Sequence, residues 1–565
     1  MNSTKLEEVF LGNYETDIWN RLDRLNREKV NSRIWSKDYT LWKPYPEEIT
    51  NRLGWLNIQA EMKHELPRLE QWASQLKAAG FSRALLLGMG GSSLAPKMFS
   101  QIFGAKEGFL PLSVLDSTHP ESILAAEKEA PLGETLFIVS TKSGKTLETL
   151  TFFYYFYQKL SAEIGKKAGE HFIAITDPGS YLQKLGEKYQ FAHIFLNNPE
   201  IGGRYSALSY FGLVPAAILG LDLERLLDGA QAAAQVSQEW ELNKNPAFLI
   251  GTFLGELARQ GRDKATFLFA PSSLSSFGDW LEQLIAESTG KEGKGIVPVV
   301  TEPPGDASQY GEDRAFIFIE KGQEQLFDLK DSLKRAHQPF LSLRLTDFYS
   351  LGEQLFIWEM ATAVAGHILG INPFDQPDVE STKIITREMI EKFKNRPSFE
   401  EEPPTVEEEQ VKVWIDEPAG SLKEAVNKFL ESLAPPEYLS IQAFCPYAHD
   451  IEAQLSELSL LLRNRYRVAV TYGYGPCFLH STGQLHKGGR NQGRFIQLIA
   501  EPSVQLPLTG GEEGVSLPPS FGLLFQAQAL GDRQALKQSQ RRVLSLQSKL
   551  APRLLIEKLK GELKL

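Results

Sequence analysis

The sequence predicts an α/β protein of doubly wound parallel sheets arranged in three blocks. Three observations lead there. Short apolar runs alternate with helix-length segments through most of the chain, the pattern of parallel strands covered on both faces. A length of 565 residues exceeds one core, at ~150 residues per domain. A glutamate- and proline-rich stretch interrupts the alternation near Pro403-Pro404.

Residues 1–80 read as helical and mixed-polar, with Trp19, Trp35, Trp42 and Trp55 expected to cover the first sheet. Runs at 84–87, 112–115, 136–139 and 172–175 read as strands, with helices over 121–128 and 147–160 between them. A second block has strands at 266–270, 296–300 and 316–319 and helices over 277–286 and 352–369. Residues 396–410, with Glu400–Glu402 and Glu407–Glu409 around the double proline, read as a solvated linker, because like charges repel and proline lacks an amide donor. The expected domains are 1–240, 241–395 and 411–565, joined by that linker. The last partly repeats the second: Ala270-Pro271 matches Cys445-Pro446, 297–301 matches 468–471, and Arg314-Ala315-Phe316-Ile317 resembles Arg494-Phe495-Ile496.

Composition narrows the function classes. A net charge of −11 argues against a sequence-independent grip on nucleic acid, which needs a basic face. Cys445 and Cys477 are the only cysteines, too few for a disulfide framework or a four-cysteine zinc site, and suit a reducing cytoplasm. No run approaches the ~18 apolar residues of a membrane span, and no apolar secretory region follows the polar N-terminus.

Chemistry is concentrated in loops that follow strands. Gly88-Met89-Gly90-Gly91-Ser92-Ser93 enters a helix; glycines admit a ligand to the backbone, and helix-start amides and hydroxyls bind anions. Ser93 replaces the third glycine of a dinucleotide fingerprint, which weakens a nicotinamide-dependent oxidoreductase. Thr141-Lys142-Ser143-Gly144-Lys145-Thr146 offers hydroxyls and amides at a positive helix end, suited to a phosphate dianion. Val139 stands where a nucleotide P-loop needs glycine. Two such loops on neighbouring strands make a pocket for a phosphorylated sugar.

These segments, with Ile201-Gly202-Gly203-Arg204-Tyr205-Ser206, Glu287-Ser288-Thr289-Gly290-Lys291 and the run Phe374 to Lys383, stand in the order found in glucose-6-phosphate isomerases. The resemblance covers about residues 80–383. The stretch Phe478 to Gly489 resembles the isomerase half of bifunctional transaldolase/glucose-6-phosphate isomerases. The resemblance implies two sugar-isomerase (SIS) domains, no cofactor, no metal, a homodimer, and glucose 6-phosphate and fructose 6-phosphate as substrates. It implies Glu287 as the base that moves a proton between C2 and C1 of a cis-enediol. It also implies Arg204 as a stabiliser of enediol charge, and Gln376 and Lys383 beside the sugar ring. Gly91, Ser92, Thr141, Lys142 through its amide, Ser143, Thr146 and Gly203 are implied to bind the substrate. Asp378 departs from the usual glycine. The alternative is a non-catalytic SIS-domain sensor of sugar phosphates, which would keep the hydroxyl loop without the base.

The ring-opening histidine is displaced. The bacterial H-S-x-G-Q segment is expected shortly after the glutamate, where Gly305-Asp306-Ala307-Ser308-Gln309 carries no histidine. His480-Ser481-Thr482-Gly483-Gln484 supplies the pattern in the third block. A division of labour is therefore expected, with Glu287 from the second block and His480 from the third. His337 and His486 are the alternatives.

Overall fold

The computed structural model describes residues 5–239, 241–323, 325–395, 402–511 and 517–563. In chain order the strands are β1 (Lys5–Phe10), β2 (Arg83–Gly88), β3 (Leu112–Leu115), β4 (Thr135–Ser140), β5 (Phe172–Thr176), β6 (His193–Leu196), β7 (Lys264–Ala270), β8 (Val297–Val299), β9 (Arg314–Lys321) and β10 (Phe340–Leu345). The third block adds β11 (Val406–Glu408), β12 (Val411–Trp414), β13 (Tyr438–Phe444), β14 (Ala469–Tyr474), β15 (Gly493–Ala500) and β16 (Arg542–Ser548).

They form three sheets. The first, β3-β2-β4-β5-β6, is parallel throughout. The second runs β1-β10-β9-β7-β8 and the third β11-β12-β16-β15-β13-β14. The parallel strands of the second and third are wound in the same order, and each has an antiparallel strand on the same side, β1 against β10 and β12 against β16. The thin sequence repeat thus coincides with a repeat of topology.

β2 is buried along its whole length, as are β4, β7 save one residue, and β15. Parallel strands sandwiched between helices have no polar face, so an unbroken apolar run is their signature. β1 lacks such a signal. Its alternation is broken by a bulge between Leu6 and Glu8, which turns successive side chains out of register. The polar N-terminus is therefore an edge strand of the second sheet, held by Phe10 stacked on Phe340 at 5.6 Å.

Two further expectations are corrected. The early tryptophans pack mainly on the second block rather than on the first sheet. Trp42 donates to the Ala363 carbonyl at 3.0 Å, Trp35 stacks on Phe356, and Trp55 lies between Phe356 and Tyr205. One core runs from Leu11 to Phe374, so no hydrophobic boundary falls at residue 240. The linker is also partly built. Residues 396–401 lie outside the described residues, but Val406 buries its side chain in β11 and pairs with Val413. Glu407 and Glu408 face solvent on a sheet edge, where charge deters further pairing.

The third block has its own core and is joined to the second through a buried ion pair. Arg314 Nη2 meets Glu302 Oε1 at 2.9 Å with both side chains essentially inaccessible. Across the seam Arg314 donates to the Val468 carbonyl at 3.0 Å, while Glu302 accepts from the Val470 amide at 2.7 Å. Arg463 donates to the Pro303 carbonyl at 2.6 Å. Removing one member of such a pair strands a buried charge, at a cost of about 3–5 kcal/mol. Glu302→Gln is expected to lose that much in urea unfolding, with the third-block fluorescence change preceding the main transition.

Candidate active site

In the first sheet the chain leaves β2 toward β3, while β4 lies on the other side. Loops leaving β2 and β4 therefore diverge and open a crevice at the carboxyl ends of the strands, where ligands of doubly wound folds bind. Both motif loops sit there. Residues after β2 tighten into a 3-10 turn, Gly90–Ser92, and enter helix Leu94–Phe103. Residues after β4 lead into helix Leu147–Ile164, with Thr146 at its N-cap making no side-chain cap bond. Instead Thr146 Oγ1 meets Thr141 Oγ1 at 2.8 Å. A helix start of this kind presents its first amides and positive dipole end to an anion.

The third block closes over this crevice. Gly90 has φ +54°, and a Cβ there would stand 2.7 Å from the His480 carbonyl oxygen. A Cβ on Gly290 would meet Leu485 Cα at 2.3 Å. The segment from Cys477 to Gly488 is thus laid directly on backbone of the first two blocks. Its Gln484 accepts from the Asp378 and Val379 amides at 2.9 and 3.2 Å and donates to Gly290 O at 2.9 Å and Asp378 Oδ2 at 2.6 Å. Asp378, in the position of the usual glycine, is therefore a docking point for the third block.

Two groups of side chains result, joined by one amide. In the first, Arg204 is 2% exposed and donates to Ser288 Oγ at 2.7 Å, Gln376 Oε1 at 2.9 Å and the Pro373 and Asp375 carbonyls at 2.7 and 3.0 Å. Its Nη1 also lies 3.2 Å from Glu287 Oε1. The second lines a cavity of about 290 Å³ that includes Ser143, Thr146, Glu148, Lys383, His480 and Gln528. Gln283 Nε2 links them, donating to Glu287 Oε2 at 3.0 Å and to the His480 carbonyl at 2.8 Å. Glu287 and the His480 backbone hence share a hydrogen-bond donor.

Glu287 lies in the last turn of helix Ser275–Thr289 rather than beyond its end. Gly91 is a glycine because of Gly203, since a Cβ on Gly91 would fall 2.3 Å from Gly203 C. That contact joins the Gly90–Ser92 turn to the one bearing Arg204. Ser92 accepts from Ser140 through its carbonyl at 3.2 Å. The Lys142 side chain turns away to Asp177 and to the Pro199 carbonyl, so its ammonium is directed elsewhere than the cavity. Thr141 is buried and supports Thr146. Of the alternative histidines, His337 is exposed in a left-handed turn before β10. His486 is buried against Phe495 and Phe478, its ring facing Ser440 and Gln442, and burial pushes it far below the ordinary imidazole range. Neither lines the cavity.

Sequence reasoning missed three residues. Glu148 Oε1 lies 2.9 Å from His480 Nε2 and accepts from Gln528 at 2.7 Å. Burial alone would raise its carboxyl, but His480, and more weakly Lys383, hold it below the ordinary carboxylate range. Gln283 precedes Glu287 by one helical turn, a spacing that is legible. Glu148 follows Thr146 closely, but its partners are remote in sequence. Lys291, 1% exposed, donates to the Asn372 carbonyl at 2.7 Å and Asp375 Oδ1 at 2.6 Å, and burial lowers it to about 8.

The fold is doubly wound α/β, and a helix start bearing hydroxyls lies beside a buried carboxylate. Solved structures share the fold. A hypothetical protein from Thermus thermophilus aligns with TM-score 0.58 and 24% identity over 67% of this chain and 99% of its own. A glucose-6-phosphate isomerase from Chlamydia trachomatis aligns with TM-score 0.55 and 20% identity over 66% of this chain and 87% of its own. Residues 57–313 match the family model for phosphoglucose isomerase. A glucose-6-phosphate isomerase of Carboxydothermus hydrogenoformans is 29% identical over 62% of this chain and 86% of its own. One of Methanocaldococcus jannaschii is 28% identical over 55% and 85%.

Because Gly90 combines positive φ with a close neighbour, Gly90→Ala is expected to destabilise by about 2–5 kcal/mol, from backbone strain and overpacking together. Gly104 has φ +65° but nothing within 4 Å of its Cβ position, so Gly104→Ala should cost only the backbone part, about 1–2 kcal/mol. Chemical denaturation of both variants checks the difference.

Proposed function

We propose that this protein is a glucose-6-phosphate isomerase, interconverting glucose 6-phosphate and fructose 6-phosphate through a cis-enediol. The observation that carries the reading is the Gln283 amide, which ties the Glu287 carboxylate to the backbone of His480, whose side chain lines the cavity beside the hydroxyl loop. A sensor would need the anion loop alone.

The phosphate is received by Ser143, Thr146 and the first amides of helix Leu147–Ile164. His480 shuttles the proton between the anomeric hydroxyl and the ring oxygen, opening the sugar. Glu287 then takes the C2 proton and returns it to C1, the enediol hydroxyl proton passing from O2 to O1. Such general acid–base steps are each worth ~10²–10⁴-fold. Arg204 on Oε1 and Gln283 on Oε2 hold the carboxylate in one orientation. With its fork already shared among protein acceptors, Arg204 supports the enediol from behind Glu287, and Lys383 on the cavity wall supplies the nearer positive charge. The reading carries a cytoplasmic location with both cysteines unpaired, and the homodimer implied by the family resemblance, which sedimentation velocity tests.

Glu287→Gln is expected to lower kcat by about 10²–10⁴-fold while fructose 6-phosphate still binds, measured by calorimetry. Equal loss of binding would make Glu287 a structural residue. Thr146→Val removes one hydrogen bond to a charged group, worth about 1.5–3 kcal/mol. It should raise KM by about tenfold or more with kcat little altered in a coupled assay.

A further inference from the structure

Behind His480 lies a buried chain of side chains that the steps above leave unused. Thr118 Oγ1 donates to Gln528 Oε1 at 2.7 Å, Gln528 Nε2 donates to Glu148 Oε1 at 2.7 Å, and that same oxygen meets His480 Nε2 at 2.9 Å. Thr118 is fully buried and Gln528 is 3% exposed. The four residues come from separate places: the loop after β3, the first turn of helix Leu147–Ile164, helix Phe521–Gln538 and the turn Cys477–His480. Nothing local in the chain requires them to meet.

Chemistry sets the direction of each bond. An ionised carboxylate only accepts, so the amide must present Nε2 to Glu148 and Oε1 to the Thr118 hydroxyl. The reversed amide would set two oxygens against each other at 2.7 Å. By the same rule His480 faces Glu148 with a protonated Nε2, which in the neutral ring leaves Nδ1 as the acceptor. The opposed effects on Glu148, burial against His480 and Lys383, resolve toward the ionised form.

We infer that Gln528, its amide fixed by Thr118, is a positioning residue for ring opening: it holds Glu148 Oε1 so that His480 keeps its proton on Nε2 and offers Nδ1 to the sugar. This rests on the isomerase reading and on His480 as the ring-opening group. It also gives helix Phe521–Gln538 of the third block a part in catalysis.

The test uses the full chain with ¹⁵N-labelled histidine. Nitrogen shifts of His480 should report the Nε2–H tautomer in wild type and a tautomer mixture in Gln528→Leu. With glucose 6-phosphate, Gln528→Leu should lower kcat by about 10- to 100-fold, as misplacement of a catalytic group does, with KM unchanged. In a His480→Ala background the same substitution should add nothing. Thr118→Val, which leaves the fold least disturbed, should act in the same sense but less strongly. A further loss from Gln528→Leu in the His480→Ala background, or an unchanged tautomer, overturns the inference and leaves the isomerase reading standing. Full turnover by His480→Ala overturns the ring-opening assignment and this inference with it.

Discussion

At Gly90 and Gly290 another part of the chain occupies the space a Cβ would need, and the seating of the third block follows from that close approach. The His480 carbonyl lies over the first glycine and the Leu485 backbone over the second. Contact between main chains is short-ranged and stiff, so the intervening residues have little latitude. Gln484 then reaches the turn before Val379 from one end, and Gln283 reaches the His480 carbonyl from the other. The glycines serve less to admit a ligand than to admit the rest of the protein.

The cavity consequently draws on all three blocks. The first supplies the hydroxyl loop and Glu148, the second Lys383, and the third His480 and Gln528, with Gln283 of the second tying Glu287 to the His480 backbone. Such a site is rigid only as far as its seams are. The buried Arg314–Glu302 pair and the Arg463 contact to Pro303 hold the third block at one angle. Ion pairs in a dry seam specify geometry through direction as much as they add stability. Residues that act as one unit are non-additive when removed, and the chain from Thr118 to His480 is arranged in that way.

The parallel strands were legible because each is an apolar run between helices, and the loops after β2 and β4 because glycines and hydroxyls cluster where strands end. Glu287 and His480 were singled out by motif order. β1 was not, since its bulge destroys the alternation that marks a strand. Val406 was hidden in a run of glutamates whose charge suggested an open tether, although a single buried side chain was enough to pair it. Glu148 and Gln528 carried no pattern that ties one to the other.

The three-block α/β architecture, the hydroxyl-bearing loop at a helix start and the glutamate motif are written in the order of residues alone. Those features depend on neighbours in the chain, where periodicity, glycine and helix-start chemistry act directly. Folding in three dimensions selects which histidine joins that carboxylate, which glycines face protein, and which side chains stand behind His480. These depend on contacts between segments hundreds of residues apart, such as Thr118 with Gln528, whose partners are chosen by packing of whole blocks rather than by any local rule.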